Sequence, residues 1–423
     1  MKLSGRADSR VVEAVIASFR DSSEHSVQRL AGLTQRDWAR SMLWLDASGL
    51  ALYFLNRLQL LGIEDAIPAP TLERLRQSQA DNCLRSASML SEFCSLNEAF
   101  QAAGVQYANE KGFTLSPDSC PDASLRHQVD FDFMVDGDDL NICREILEQR
   151  GYVLTKSGPT EWQFEAGASE VVRREDYYKP RPQRSVELHF MFSAADPNAP
   201  TRDARLDRRT LRAWNGHLFP VLSPADQFIE QAMHLLRHLR SPRTKPSWLL
   251  EFRRHMLVHF NDQSFWDEVR NNSQGLPDVE IAIGLATMLS IRFFGGRVPT
   301  QLKVWTLDRI PAPIRLWTNL YGRKAVLADV PGTRLYLLLE GEIAEEKSVA
   351  TKKRRSLLTL YHMTRICYPT AEDGLLKRAR QEYYHVRYFL FRIKFQIVQG
   401  LRLRIEEARW KRQRRSLDEA VSS

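Results

Sequence analysis

Two short segments of this 423-residue chain carry acids in the same alternating pattern. One reads Val129-Asp130-Phe131-Asp132-Phe133-Met134-Val135, the other Val186-Glu187-Leu188-His189-Phe190-Met191-Phe192. Successive side chains of a strand point to opposite faces. As strands, the first places Val129, Phe131, Phe133 and Val135 on one face and Asp130 and Asp132 on the other. The second places Val186, Leu188, Phe190 and Phe192 against Glu187 and His189. If the two strands are neighbours, three carboxylates converge on one patch. Converging carboxylates repel unless a cation sits among them. Oxygen-only ligands suit magnesium or manganese. Such ions can activate an attacking hydroxyl and stabilise a departing pyrophosphate. The alternative is a solvated sheet face on which these acids pair with Arg or Lys.

The elements that must position these residues follow from composition and turn signals. Residues 1–100 read as helical, with Asp37–Gln59 rich in Leu, Ala and Trp. A long pattern over Thr71–Ala103 directs Leu72, Leu75, Leu84, Met89, Leu90 and Phe93 inward. From Val105 to Phe192 the texture changes to short β-branched and aromatic runs. Strands are expected at 128–135, 161–165, 170–174 and 185–192, with a helix over Asp138–Arg150 stopped by Gly151. After this the pattern is helical again, opened by Ser223 as N-cap with Pro224 at the first position. The expected class is α+β: a small mixed sheet flanked by N-terminal and C-terminal helical regions. The units are 1–100, 101–220, 221–372 and a basic, aromatic-rich tail over 373–423.

An ordered set of motifs resembles the uncharacterised nucleotidyltransferases of the DNA polymerase beta-like superfamily. It comprises Lys111-Gly112, Arg126-x-x-x-Asp130-Phe131-Asp132, Arg150-Gly151-Tyr152 and Glu187-Leu188-His189. Ser223-Pro224-Ala225-Asp226 then opens a helix with His234 and His238, followed by Trp248-Leu249-Leu250-Glu251. The resemblance spans roughly residues 90–256. It implies a magnesium- or manganese-dependent transfer of a nucleoside monophosphate from an NTP to an acceptor hydroxyl. Asp130 and Asp132 would hold the metal, with Glu187 as third carboxylate or general base. Lys111, Gly112 and Arg126 would lie near the triphosphate, where Gly admits backbone N–H groups and the cations offset charge. The chain departs from the superfamily in lacking Gly-Ser: Phe113 follows Gly112, and Thr114 is the nearest hydroxyl. It also has Glu187 where many relatives have Asp. A worn, non-enzymatic binding module is one competing reading. A sugar-nucleotide glycosyltransferase using the DxD is another, disfavoured by the helical first hundred residues.

Other residues carry weaker signals. His189 shares the acidic face and could orient Glu187 or bind phosphate. His234 and His238, four apart, share a helix face, but no third metal ligand is apparent. Trp162, Trp214 and Trp248 read as packing residues. Arg173, Arg174, Lys179, Arg181 and Arg184 form a basic stretch beside the proposed site.

Net charge is +8, but it is local. Residues 377–415 hold thirteen Lys/Arg against Glu382, Glu406 and Glu407, leaving the remainder slightly acidic. This basic stretch, interleaved with aromatics, could pack on the body, lie on an anionic membrane surface, or follow a nucleic acid. The hydrophobic fraction of 43% excludes a mainly disordered chain. Five cysteines without ligand-like spacing argue against a disulfide framework or structural zinc. No apolar leader and no long apolar run is evident, so a cytoplasmic location is expected, with attachment to the inner membrane face as a variant.

Overall fold

In the computed structural model, the described residues are 7–167, 176–192, 200–214, 216–276, 278–330, 332–344 and 375–422. The strand expected at 170–174, with Arg173 and Arg174, lies outside them.

Five helices precede the sheet: α1 (Ser9–Ser18), α2 (Ser23–Leu30), α3 (Gln35–Ala47), α4 (Ala51–Leu61) and α5 (Ala69–Ala102). The Leu-, Ala- and Trp-rich run over 37–59 forms two helices divided at Gly49. This residue has a positive φ of 74°, and a Cβ there would collide with the Ser247 side chain. Only glycine meets both demands without strain.

A seven-stranded mixed sheet follows, in the order β3-β4-β5-β2-β1-β9-β8. Its strands are β1 (Tyr107–Asn109), β2 (Asp130–Val135), β3 (Val153–Ser157), β4 (Glu161–Ala166), β5 (Arg184–His189), β8 (Thr210–Trp214) and β9 (His217–Val221). The short β6 (Met191–Phe192) and β7 (Pro200–Thr201) pair separately. The second acidic run therefore ends its ladder at His189. Helix α6 (Leu140–Gln149) crosses between β2 and β3. The α+β class and mixed sheet expected from the sequence are both present.

One sheet face is apolar. Phe131, Phe133, Val135, Val186 and Leu188 pack with Phe93, Leu96 and Phe100 of α5 and Cys143 and Leu147 of α6. The alternation fails at Val129, which is 44% exposed because the strand begins one residue later. Leu84, expected inward, faces solvent on α5. The buried face of that helix instead carries several polar side chains, Asn82 and Arg85 among them. Asn82 Nδ2 donates to the Ser124 and Arg126 carbonyls at 2.6 and 3.2 Å. Arg85 Nε donates to the Gln128 carbonyl at 3.0 Å. These bonds fix the approach to β2. Further along α5, Glu92 pairs with Arg184 at 2.7 Å and fixes the start of β5.

The helices after the sheet are α7 (Pro224–Leu239), α8 (Pro246–Val258), α9 (Gln263–Asn272), α10 (Val279–Phe294), α11 (Thr300–Trp305), α12 (Ala312–Trp317), α13 (Arg323–Val326), α14 (Tyr336–Ile343) and α15 (Leu375–Ser422). Ser223 caps α7, accepting from the Asp226 N–H at 3.1 Å. Val15, Trp38 and Phe54 from the first helices share a core with Phe228, Phe252, Leu285, Trp317 and Leu403 from the later ones. Helical segments on either side of the sheet in sequence thus bury one another.

Four histidines are held neutral in this interior. Burial pushes His255 down to about 3 and His238 to about 4, and lowers His127 and His234 well below the ordinary value; nearby cationic groups add to each effect. Between those values and 6.5 the unfolded chain binds more protons than the folded one, so stability falls as pH drops. At pH 5, fully buried His255 alone is worth about 2 kcal/mol by this linkage. The melting temperature should drop clearly from pH 7.5 to pH 5, and less so in His255→Gln. A flat profile in calorimetry would contradict the neutral interior.

Candidate active site

Strands β2 and β5 are neighbours and run parallel, with Asp130 opposite Ser185 and Asp132 opposite Glu187. Glu110 follows β1, and its N–H donates to the Asp132 carbonyl at 3.2 Å. Glu110, Asp132 and Glu187 therefore lie abreast on three adjoining chain segments. Side-chain ligand atoms of Asp132, Glu187 and His189 all lie within 4.8 Å of one another. At that spacing two carboxylates repel by about 3 kcal/mol at an effective dielectric of 20.

Two cations hold this row together. Lys111 Nζ bonds Asp132 Oδ1 at 2.9 Å. Burial opposes its charge, but Asp132, Glu110 and Glu230 outweigh that and hold the ammonium well above its ordinary value. His189 Nδ1 lies 2.6 Å from Glu110 Oε2, and its Nε2 lies 3.5 Å from Glu187 Oε2. Burial lowers the affinity of His189 for a proton. The Glu110 charge and hydrogen bond and the Glu187 contact overcome this and raise it to about 10. Glu110 responds in kind: burial alone would raise it, but His189 brings it well below the carboxylate range. Asp130, at the open edge, is pushed up to about 6 by burial and by the charges of Asp132 and Glu187, with Arg126 and Lys111 opposing.

The remaining expected residues sit nearby in different roles. Gly112 is buried with φ at 67°, and a Cβ would meet the Gln128 side-chain nitrogen at 2.4 Å. Its place is explained by that close approach. Phe113 enters the core beside Phe93 and Trp214. Thr114 is buried; its hydroxyl donates to the Lys111 carbonyl and accepts from Gln227 Nε2 at 3.0 Å. The hydroxyl offered by sequence as a stand-in for serine is therefore already engaged within the fold. Arg126 faces Glu251 of α8 at 3.5 Å. Glu251 also accepts from the Tyr53 hydroxyl at 2.8 Å, which lies 3.0 Å from the Cys120 sulfur. Lys111 and Arg126 line a cavity of about 20 Å³ with Glu110, Gln227, Glu230 and His234, room for roughly one water.

His234 and His238 pack on each other and on Trp248 in tilted and edge-to-face contacts, and no metal-competent cluster among the described residues includes them. Trp162 and Trp214 pack on Phe190 and Phe113. The basic stretch is partly internal: Arg184 is buried against Glu92 and Ser88, and Lys179 pairs with Asp176.

Two site residues were not singled out in the sequence. Glu110 directly precedes Lys111, but its burial under His189 depends on the β1–β2–β5 order. Lys245 immediately precedes Pro246, the first residue of α8. It lies 5.2 Å from the Trp248 ring centre and has no carboxylate partner among the described residues. Burial, Arg126 and Arg243 bring it down to about 8, against the pull of Asp130 and Glu251. Pro246 signals the helix start, but nothing local places that start near Asp130.

The donor set is oxygen-rich, and its acids are held by side-chain cations alone, so it fits a hard divalent ion. Asp132 and Glu187 come together with His189 and could hold it, with His189 fixing Glu187, while Asp130, expected as a ligand, stands outside that group.

The sequence profile of a family described as uncharacterised nucleotidyltransferase matches residues 34–295, more than half of the chain. The chain belongs to this family. No curated protein matches it significantly. Among solved structures, an antigenic nucleotidyltransferase-like protein from Paracoccidioides brasiliensis is similar at 17% identity. The match covers 47% of this chain and 93% of that one, with a TM-score of 0.29. The family model begins in α3 and runs through α10, so it takes in the acidic row together with Arg126, Lys245 and Glu251.

Removing the Glu251 charge would leave Arg126 nearly buried and unpaired. Glu251→Gln should cost about 3 kcal/mol of stability in urea unfolding. A change below roughly 0.5 kcal/mol, the range of an ordinary surface substitution, would contradict the pairing.

Proposed function

We propose that this nucleotidyltransferase moves a nucleoside monophosphate from an NTP to an acceptor hydroxyl, using magnesium or manganese. The observation that carries the reading is the register of β2 against β5, which sets Asp132 directly opposite Glu187 with His189 beside them. A divalent ion bound there supplies charge neutralisation at the phosphates and lowers the pKa of a coordinated hydroxyl.

This chain's own residues do the rest. Asp130 and Asp132 present ligand oxygens from alternate positions of one strand. His189, itself fixed by Glu110, orients Glu187. The Glu187 carboxylate accepts the proton of the acceptor hydroxyl. The acceptor oxygen forms a bond to the α-phosphorus, the bond from that phosphorus to the bridging oxygen breaks, and pyrophosphate departs with the electron pair. Lys111 and Lys245 are the cations we assign to the triphosphate: one is bonded to Asp132, the other lacks a carboxylate partner among the described residues. Arg126, turned toward Glu251, positions α8 and so places Lys245. The sheet segment 101–220 would carry the transfer residues, and α8 of the following helical region brings Lys245 and Glu251 to them. Cys83, Cys94, Cys120 and Cys143 are free thiols among the described residues.

The test uses each α-labelled NTP in turn with magnesium or manganese, with a cell lysate fraction as acceptor source. Wild type should transfer label, and Asp130→Ala/Asp132→Ala should lose at least a hundredfold, the loss typical when charge stabilisation in the transition state is removed. Lys245→Met should weaken NTP binding while leaving the melting temperature close to wild type. No transfer, together with no metal-dependent NTP binding by calorimetry, would overturn the enzyme reading in favour of a binding module.

A further inference from the structure

Helix α15 (Leu375–Ser422) packs on the body along one side only. Leu403 and Trp410 join the helical core, the Tyr321 hydroxyl donates to the Glu406 carbonyl at 3.2 Å, and Lys324 pairs with Glu406 at 3.1 Å. On the outer side, Val386, Leu390, Ile397, Leu401 and Ile405 are each more than half exposed. Most follow one another at steps of four or seven, so they form one stripe along the helix. A contiguous apolar stripe on a water-facing helix signals an interaction surface.

Cations predominate around the stripe. Lys394, Arg404, Lys411 and Arg412 are exposed and stand at the same helical steps. Of the acids of the helix, Glu406 is buried against Lys324, Glu407 is partly buried, and Glu382 and Glu419 are exposed toward its two ends. Between Val386 and Ile405 the outer face thus combines aliphatic side chains with cations, and the exposed carboxylates Glu382 and Glu419 stand beyond its two ends. No described helix is long and apolar enough to cross a membrane.

We infer that the outer face of α15 docks on an anionic phospholipid surface, aliphatic stripe down and cations on the headgroups. An interfacial helix of this composition gains from apolar burial and from each cation near acidic lipid. The aromatic residues decide against nucleic acid. Phe389, Phe391 and Phe395 are partly buried and Trp410 is buried, which leaves Tyr383, at one end of the stripe, as the single exposed ring among the described side chains, where base stacking uses several. The exposed aliphatic residues have no such ring. Charge argues against a second copy, because pairing two of these faces would oppose like charges. It also argues against the preceding stretch of this chain, whose sequence includes Lys352-Lys353-Arg354-Arg355.

The test is flotation of the full-length protein with vesicles of phosphatidylcholine alone or mixed with phosphatidylglycerol. Wild type should float with the mixed vesicles only, and less so at high salt. Leu390→Glu/Ile397→Glu/Leu401→Glu should abolish flotation with an unchanged melting temperature, since all three positions are exposed. Lys394→Gln, Arg404→Gln and Arg412→Gln should each lower partitioning about fivefold. Three results would overturn the inference. The first is failure of wild type to float. The second is a stripe variant that still floats. The third is light scattering showing a dimer that the stripe variant dissolves. RNA or single-stranded DNA binding that survives in the stripe variant, without flotation of wild type, would assign the cations to nucleic acid instead.

Discussion

The arrangement depends on one electrostatic constraint: carboxylates on adjoining segments must be kept a few ångström apart. Glu110, Asp132 and Glu187 are brought abreast by backbone pairing, which leaves them no freedom to separate. The fold meets the cost with Lys111 against Asp132 and with His189 between Glu110 and Glu187. Neither cation saturates the row. Asp130 remains elevated at the open edge, where an added positive charge would be most favourable. Such a row is poorly suited to stabilising the sheet and well suited to receiving a divalent ion.

The surrounding helices serve that row at one remove. Helix α5 fixes the entry to β2 through Asn82 and Arg85, and the entry to β5 through Glu92. Helix α8 supplies Glu251, which balances Arg126, and brings Lys245 to the same edge. The Tyr53 bond to Glu251 reaches back to α4. Polar side chains from three helices therefore set the backbone that sets the carboxylates. Interior packing makes these links rigid, since the first and later helices share a core.

Much of this was legible from residue order. The alternating acids on two strands, the apolar partners beneath them and the Ser223 cap all follow from local patterning. The adjacency of β2 and β5 was a condition in the sequence and a fact in the fold. What stayed hidden depended on long-range placement. Glu110 reads as one acid among many until β1 brings it beside β2. Lys245 precedes a helix whose position is fixed only by packing. Thr114 was offered as a substitute hydroxyl from its nearness to Gly112, but Gln227, more than a hundred positions away, engages it. Arg126 was assigned to phosphate by its motif, yet its nearest carboxylate comes from α8. The tail showed its basic and aromatic content in sequence, but which face stayed free required the docking of Leu403 and Trp410.

The central claim is that the carboxylate row binds a divalent ion. Calorimetric titration of manganese into the metal-free protein addresses it directly, comparing wild type with Glu187→Gln at neutral pH. The account predicts saturable binding by wild type and at least tenfold weaker binding by the variant, whose melting temperature should remain near wild type. Equal manganese affinity in the two proteins, or no saturable binding by wild type, would contradict it.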